Sequence, residues 1–137
     1  MILGIGTDIC DIRRIEQSIE KNGDRFLDKI FTQGEREYCD AKARPAMSYA
    51  KRFAAKEAVA KALAGAETGS LSWKSVEVQN DPSGRPVAIL TGEALARLSA
   101  HNETGFEGRI HLSLSDDFPY ATAFAIAERV AITKETS

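Results

Sequence analysis

The stretch RFAAKEAVAKAL, residues 52–63, reads as a helix that is basic and apolar except for one acid. Its cations are Arg52, Lys56 and Lys61, and its only carboxylate is Glu57. Pro45 sits before or at the start of this helix, where a missing N–H is harmless, and the helix runs to about Leu63 with Tyr49, Phe53, Ala60 and Leu63 as apolar positions. A second isolated acid, Asp8, lies near the end of the N-terminal segment GIGTDI, residues 4–9. A helix acid among cations, paired with an acid near a strand end, points to a shared divalent cation whose other partners are phosphates. Mg²⁺ suits this pattern, because it takes a few carboxylates, waters and substrate phosphate oxygens rather than a closed protein cage.

Working outward, residues 2–9 alternate as a strand. Leu3, Ile5, Thr7 and Ile9 share one face; Ile2, Gly4, Gly6 and Asp8 share the other, where two glycines leave room for a ligand or another backbone. Residues 11–21 read as a helix with Ile12, Ile15 and Ile19 inward and Asp11 as N-cap. Phe26, Leu27, Ile30 and Phe31 mark a short apolar helix or turn over 25–31. Thr32 and Glu35 have the spacing of a capping box opening a helix to about Ala41. The second half changes period. Strands are expected over 73–79 and 87–90 around the turn-rich NDPSGRP, residues 80–86. Thr91 can cap a short helix with Leu95 and Leu98 inward, and 102–108 is expected to be a loop. Residues 109–115 alternate, with Ile110, Leu112 and Leu114 opposite His111, Ser113 and Ser115. Residues 121–127 alternate four alanines with Thr122, Phe124 and Ile126. Helices early and strands late give an α+β fold with a mainly antiparallel sheet. With 137 residues and no linker or repeat, the chain is expected to form a single domain over 1–137.

The net charge is −2, so no global field draws the chain to nucleic acid. Residues 36–61 nevertheless hold seven Lys or Arg against three acids, a local balance of +4, while 62–137 hold six against ten, a balance of −4. A small polyanion or an acidic partner patch fits that asymmetry. Two cysteines, Cys10 and Cys39, make no disulfide framework and lack zinc spacing, which fits a cytoplasmic, reducing setting. The sequence has no membrane-length apolar run, and its opening MILGIGTDICD is not expected to act as a signal-like leader.

Each candidate has a plainer alternative. Asp8 could cap a turn, and Glu57 could pair with Lys61 one turn on. Arg52 and Lys56, at i and i+4, could form a solvated basic face, although two adjacent cations repel unless an anion lies between them. His111, Ser113 and Ser115 could be a structural ladder, since no triad or nucleophile elbow accompanies them. Asp116 is expected to end a strand without a catalytic role. GIG at 4–6 is too short for a dinucleotide fingerprint, and GSL at 69–71 has no Walker lysine. Arg13, Arg14 and Arg25 could be ordinary helix solvation or a face for an acidic protein. On these residues alone the reading is a divalent-metal phosphate site, open to a Mg²⁺-dependent phosphoesterase or nucleotide hydrolase and to a non-catalytic module binding acidic helices.

Taken together, GIGTDICDIRRIE (4–16), RFLDKIFTQGEREYC (25–39), RFAAKEAVAKAL (52–63) and IHLSLSDDFPYATAFAIAE (110–128) resemble the holo-acyl-carrier-protein synthase family, the small 4′-phosphopantetheinyl transferases. The resemblance runs in order along nearly the whole chain. It implies Mg²⁺-dependent transfer of 4′-phosphopantetheine from coenzyme A to a serine of apo-acyl carrier protein, yielding adenosine 3′,5′-bisphosphate and supporting fatty acid biosynthesis. It implies Asp8 and Glu57 as metal ligands and Glu57, Lys61 and Asp8 as the catalytic set. Arg52, Lys56 and Lys61 would line the coenzyme phosphates, with His111 and Ser113 near the coenzyme and Arg14 and Arg25 meeting the carrier protein. It also implies a homotrimer with sites between subunits. One departure is Ala64-Gly65-Ala66, which stands where the family has a Gly-Thr-Gly turn.

Overall fold

The computed structural model describes residues 1–64, 71–100 and 103–133. Strand β1 (Ile2–Asp11) opens the chain and leads without a loop into helix α1 (Ile12–Asn22). Asp11 makes that junction: its carboxylate accepts the N–H of Arg13 and caps the helix. Two short helices follow, α2 (Asp24–Ile30) and α3 (Gln33–Asp40), and the expected Thr32–Glu35 capping box opens α3. Helix α4 (Pro45–Leu63) begins on its proline. Then come β2 (Val76–Asn80), β3 (Pro86–Leu90), α5 (Gly92–Ser99), β4 (Phe106–Asp117) and β5 (Tyr120–Ala131).

Strands β1, β5 and β4 form one antiparallel sheet in that order, and β2 and β3 form a separate hairpin. Helix α4 crosses the inner face of the sheet, and small residues on both sides let it come close. Ala121, Ala123, Ala125 and Ala127 of β5 are all buried there. The two glycines of β1 admit the helix backbone itself: a Cβ at Gly4 would lie 1.9 Å from the Ala62 carbonyl oxygen, and one at Gly6 would lie 1.9 Å from that of Ala58. The space beside Asp8 is thus filled by α4, and the helix that carries Glu57 is locked at backbone distance to the strand that carries Asp8.

Several sequence expectations shift. Trp73–Ser75 is a 3₁₀ turn, so the strand starts later, at Val76. β4 already begins at Phe106, which shortens the expected loop at 102–108; Asn102 lies outside the described residues, as do Gly65 and Ala66 of the divergent turn and Gly69 and Ser70 of the GSL stretch. On α5, Ala94 and Leu98 point inward one turn apart, while Leu95 is exposed and Thr91 makes no side-chain cap. A bulge between Ile2 and Gly4 breaks the alternation of β1. The outer sheet face carries Ile5 (61% exposed), Ile9 (63%) and Phe124 (51%), and nothing among the described residues covers it.

Candidate active site

Asp8 and Glu57 line one cavity of about 280 Å³, together with Arg14, Ser18, Phe26 and Phe53. The spacing of Phe53 and Glu57 on one face of α4 explains the sheltered setting. Burial pushes the Glu57 carboxyl above its usual pKa, and the charge of Asp8 pushes it further; Lys61 partly offsets both. Lys61 does not pair back along the helix to Glu57. Its ammonium reaches across to β1, donating to the Thr7 carbonyl at 2.9 Å and to Asp8 Oδ1 at 3.2 Å.

The donor set fits Mg²⁺. Two carboxylates from different elements face one cavity, and their repulsion is relieved by a cation. Among the described residues no cluster of three or more His, Cys, Asp or Glu side chains forms a metal cage. An ion held through one or two carboxylates and substrate phosphates needs none.

Lys56, expected to line the coenzyme phosphates, is engaged by the chain's own groups in this structure. It is 2% exposed, and its ammonium meets Glu35 Oε1 at 2.7 Å and the carbonyls of Trp73 and Val76. Of the two cations at i and i+4, Lys56 does have an anion beside it, the chain's own buried Glu35. Burial lowers the Lys56 pKa, and Glu35 works against that shift. Arg52 is also buried, which rules out the solvated basic face. Its guanidinium stacks 3.9 Å over the Tyr38 ring and donates to Asn80 Oδ1 at 2.6 Å, while its Nε is buried without a partner.

Arg52 also lines a basic cavity of about 450 Å³, with Lys42, Arg44, Lys51, Tyr38 and Asn80 around it. Lys42, Arg44 and Lys51 were visible in sequence only as part of the +4 balance of 36–61, with no motif to single them out. Asn80 was hidden in a stretch that read as a turn. Lys51 meets Asp116 at 3.2 Å, so the strand-end acid trims the charge of this cavity.

The remaining candidates fall elsewhere. Arg14 stands at the Asp8–Glu57 cavity, and Arg25 is exposed on α2 beside Phe26, which lines it. His111 and Ser113 lie on the outer face of β4, opposite Ile126 and Phe124 of β5, and His111 Nε2 lies 2.8 Å from Glu128 Oε2. Asp8 lies on the inner-face positions of β1 with Gly6 and Cys10. One chain therefore does not bring His111 and Ser113 to the carboxylate pair.

The sequence matches the 4′-phosphopantetheinyl transferase superfamily over residues 4–124. It is 54% identical over 133 residues to the holo-[acyl-carrier-protein] synthase of Methylorubrum extorquens, covering 97% of this chain and 98% of that one. It is 55% identical over 128 residues to that of Caulobacter vibrioides, covering 93% and 96%. Among solved structures, the holo-[acyl-carrier-protein] synthase of Neisseria meningitidis aligns with a TM-score of 0.78 at 38% identity, covering 93% of this chain and 99% of that one. The Helicobacter pylori enzyme in complex with coenzyme A aligns with a TM-score of 0.75 at 27% identity, covering 90% and 99%.

Proposed function

The chain belongs to the 4′-phosphopantetheinyl transferase superfamily, among its holo-[acyl-carrier-protein] synthases, and from that premise we propose that it transfers 4′-phosphopantetheine from coenzyme A to a serine of apo-acyl carrier protein. Holo-carrier protein and adenosine 3′,5′-bisphosphate are the products, and the former serves fatty acid biosynthesis. The observation that carries this reading is the shared cavity of Asp8 and Glu57, with Arg14 at it and Lys61 on Asp8.

Phosphoryl transfer needs position and charge neutralisation more than covalent catalysis. The attacking serine belongs to the carrier protein, so the chain needs no nucleophile of its own. Asp8 and Glu57 would hold Mg²⁺, which when bound polarises the diphosphate and stabilises the leaving bisphosphate. Lys61, 54% exposed along its side chain, is free to swing from Asp8 to the diphosphate. The serine oxygen bonds to the phosphorus next to pantetheine. The bond from that phosphorus to the bridging oxygen breaks, and its electron pair leaves with the bisphosphate. Glu57, whose pKa burial already raises, takes the serine proton. Arg14 and Arg25 meet the acidic surface of the carrier protein and bring its serine to the cavity.

The cavity of Lys42, Arg44, Lys51 and Arg52 suits the phosphates on the adenosine side of coenzyme A. It opens beside the first half of α4 and the β2–β3 hairpin, whereas Asp8 and Glu57 sit at the second half of the helix on another of its faces. A coenzyme reaching both kinds of site is best met by two copies of the chain. The uncovered Ile5, Ile9 and Phe124 face offers the contact, and His111 and Ser113 on that face then stand at the seam. A homotrimer satisfies this arrangement. Both cysteines are buried and free, as suits the cytoplasm, and among the described residues no helix is long and apolar enough to cross a membrane.

The deciding experiment is mass spectrometry of an apo-acyl carrier protein incubated with this chain, coenzyme A and Mg²⁺. A gain of one phosphopantetheine group on the carrier is expected. Consumption of coenzyme A with no gain on the carrier would instead mark a hydrolase.

A further inference from the structure

Lys56 and Glu35 form a polar node in the core. The ammonium of Lys56 meets three acceptors: Glu35 Oε1 at 2.7 Å, the Trp73 carbonyl at 3.0 Å and the Val76 carbonyl. Glu35 is equally engaged, accepting the Thr32 N–H on Oε1 and the Val78 N–H on Oε2. Both side chains are at most 1% exposed. One ion pair thus ties α3, α4, the 3₁₀ turn and β2 together.

What the node holds matters for the site. The turn segment it grips supplies Trp73, whose ring stacks on Phe53 with centroids 5.1 Å apart. Phe53 is a wall of the Asp8–Glu57 cavity. On its other side Glu57 borders a second, largely apolar cavity of about 320 Å³ lined by Ala60, Leu71, Ser72, Trp73 and Val76, with the buried side chain of Lys56 at its wall. Glu57 therefore stands between two walls, and the backbone of one and the stacking partner of the other are fixed by Lys56. From this geometry we infer that Lys56 is a positioning residue: it acts on the reaction by setting the walls around Glu57 through Trp73, with its charge neutralised by Glu35, and it does not touch the coenzyme phosphates. This inference rests on the transferase reading of the Asp8–Glu57 site.

The test compares wild type, Lys56→Met and the double variant Glu35→Gln/Lys56→Met as full chains. Removing one partner of a buried pair strands a charge, whereas neutralising both does not. The glutamine side chain in the double variant keeps an oxygen acceptor for the Val78 N–H. The double variant is expected to resist urea better than Lys56→Met despite its extra substitution. By calorimetry it is expected to bind adenosine 3′,5′-bisphosphate within about threefold of wild type. Its kcat is expected to fall about tenfold or more, with KM for coenzyme A within about threefold, because the grip on Trp73 stays lost. Bisphosphate binding weakened about tenfold or more in the folded double variant would make Lys56 a phosphate ligand. An unchanged kcat would make the node merely structural. A double variant no more stable than Lys56→Met, or unable to fold, would contradict the neutralised pair. Wild type is the control for the site itself: no transfer by it removes the transferase reading and the positioning role together, whereas transfer by wild type with any of the contrary results removes the positioning role alone.

Discussion

Glu57 on α4 faces Asp8 on β1 across a single cavity, and burial together with the charge of Asp8 raises the cost of ionising Glu57 there. In the metal-free protein the Glu57 pKa is raised by burial first and by Asp8 second. The folded chain therefore binds more protons than the unfolded one between the ordinary glutamate pKa and the raised value. Stability falls as pH climbs through that window and stays lower above it. Glu57→Gln is expected to raise the melting temperature at neutral pH by ~1–3 °C and to flatten that pH dependence. Added Mg²⁺ should stabilise wild type and leave the variant unmoved. A variant that melts below wild type would contradict the repulsion.

Arg14 stands at the carboxylate cavity without an ion pair of its own among the described contacts. Arg14→Ala is expected to raise KM for the carrier protein about fivefold or more at low salt while leaving coenzyme A binding unchanged. The difference from wild type should shrink as salt screens the encounter. Steady-state kinetics against carrier concentration at two ionic strengths reads this directly, and an unchanged KM at low salt would remove Arg14 from the docking face.

The local chemistry was largely legible in the sequence, whereas long-range placement was not. Asp11 as a cap, the Thr32–Glu35 box and Pro45 opening α4 follow from short-range rules, and the structure has them. The Gly4–Gly6 face announced a close approach, although not that the approaching group is the backbone of Ala58 and Ala62. The buried setting of Lys56 was not legible, because spacing shows which cations share a helix face and is silent on what that face meets. Its partner Glu35 lies on another helix and already read as a capping residue. Leu95 misled because an eight-residue helix shows too few turns to fix which leucine points inward. The cavity of Lys42, Arg44 and Lys51 is assembled from a loop, a helix and the hairpin, so only the charge count hinted at it.

Arg44 and Lys51 line that cavity with Arg52. Arg44→Ala and Lys51→Ala are each expected to weaken binding of adenosine 3′,5′-bisphosphate by about tenfold or more, the scale of one lost charge-assisted hydrogen bond of ~1.5–3 kcal/mol. Melting temperatures should barely change, since both side chains reach solvent. Calorimetric titration checks it, and wild-type affinity in both variants would move the coenzyme phosphates elsewhere.

Phe124 is half-exposed at the centre of the outer sheet face, paired with Ser113 and Thr7 across its two neighbours. Phe124→Asp places a charge in the proposed contact between copies without touching the inner core. Sedimentation is expected to show three chains for wild type and a single chain for the variant, with the far-ultraviolet spectrum retained and transfer reduced about tenfold or more. A variant that sediments as wild type does would show that this face is not the contact.

In the proposed transfer the carboxylates of residues 8 and 57 share one ion. Anomalous diffraction from crystals grown with Mn²⁺ and coenzyme A tests it most directly. One peak is expected within bonding distance of a carboxylate oxygen of Asp8, a carboxylate oxygen of Glu57 and the coenzyme diphosphate. A manganese peak that touches the diphosphate and neither carboxylate, or no peak near them at full coenzyme occupancy, would contradict it.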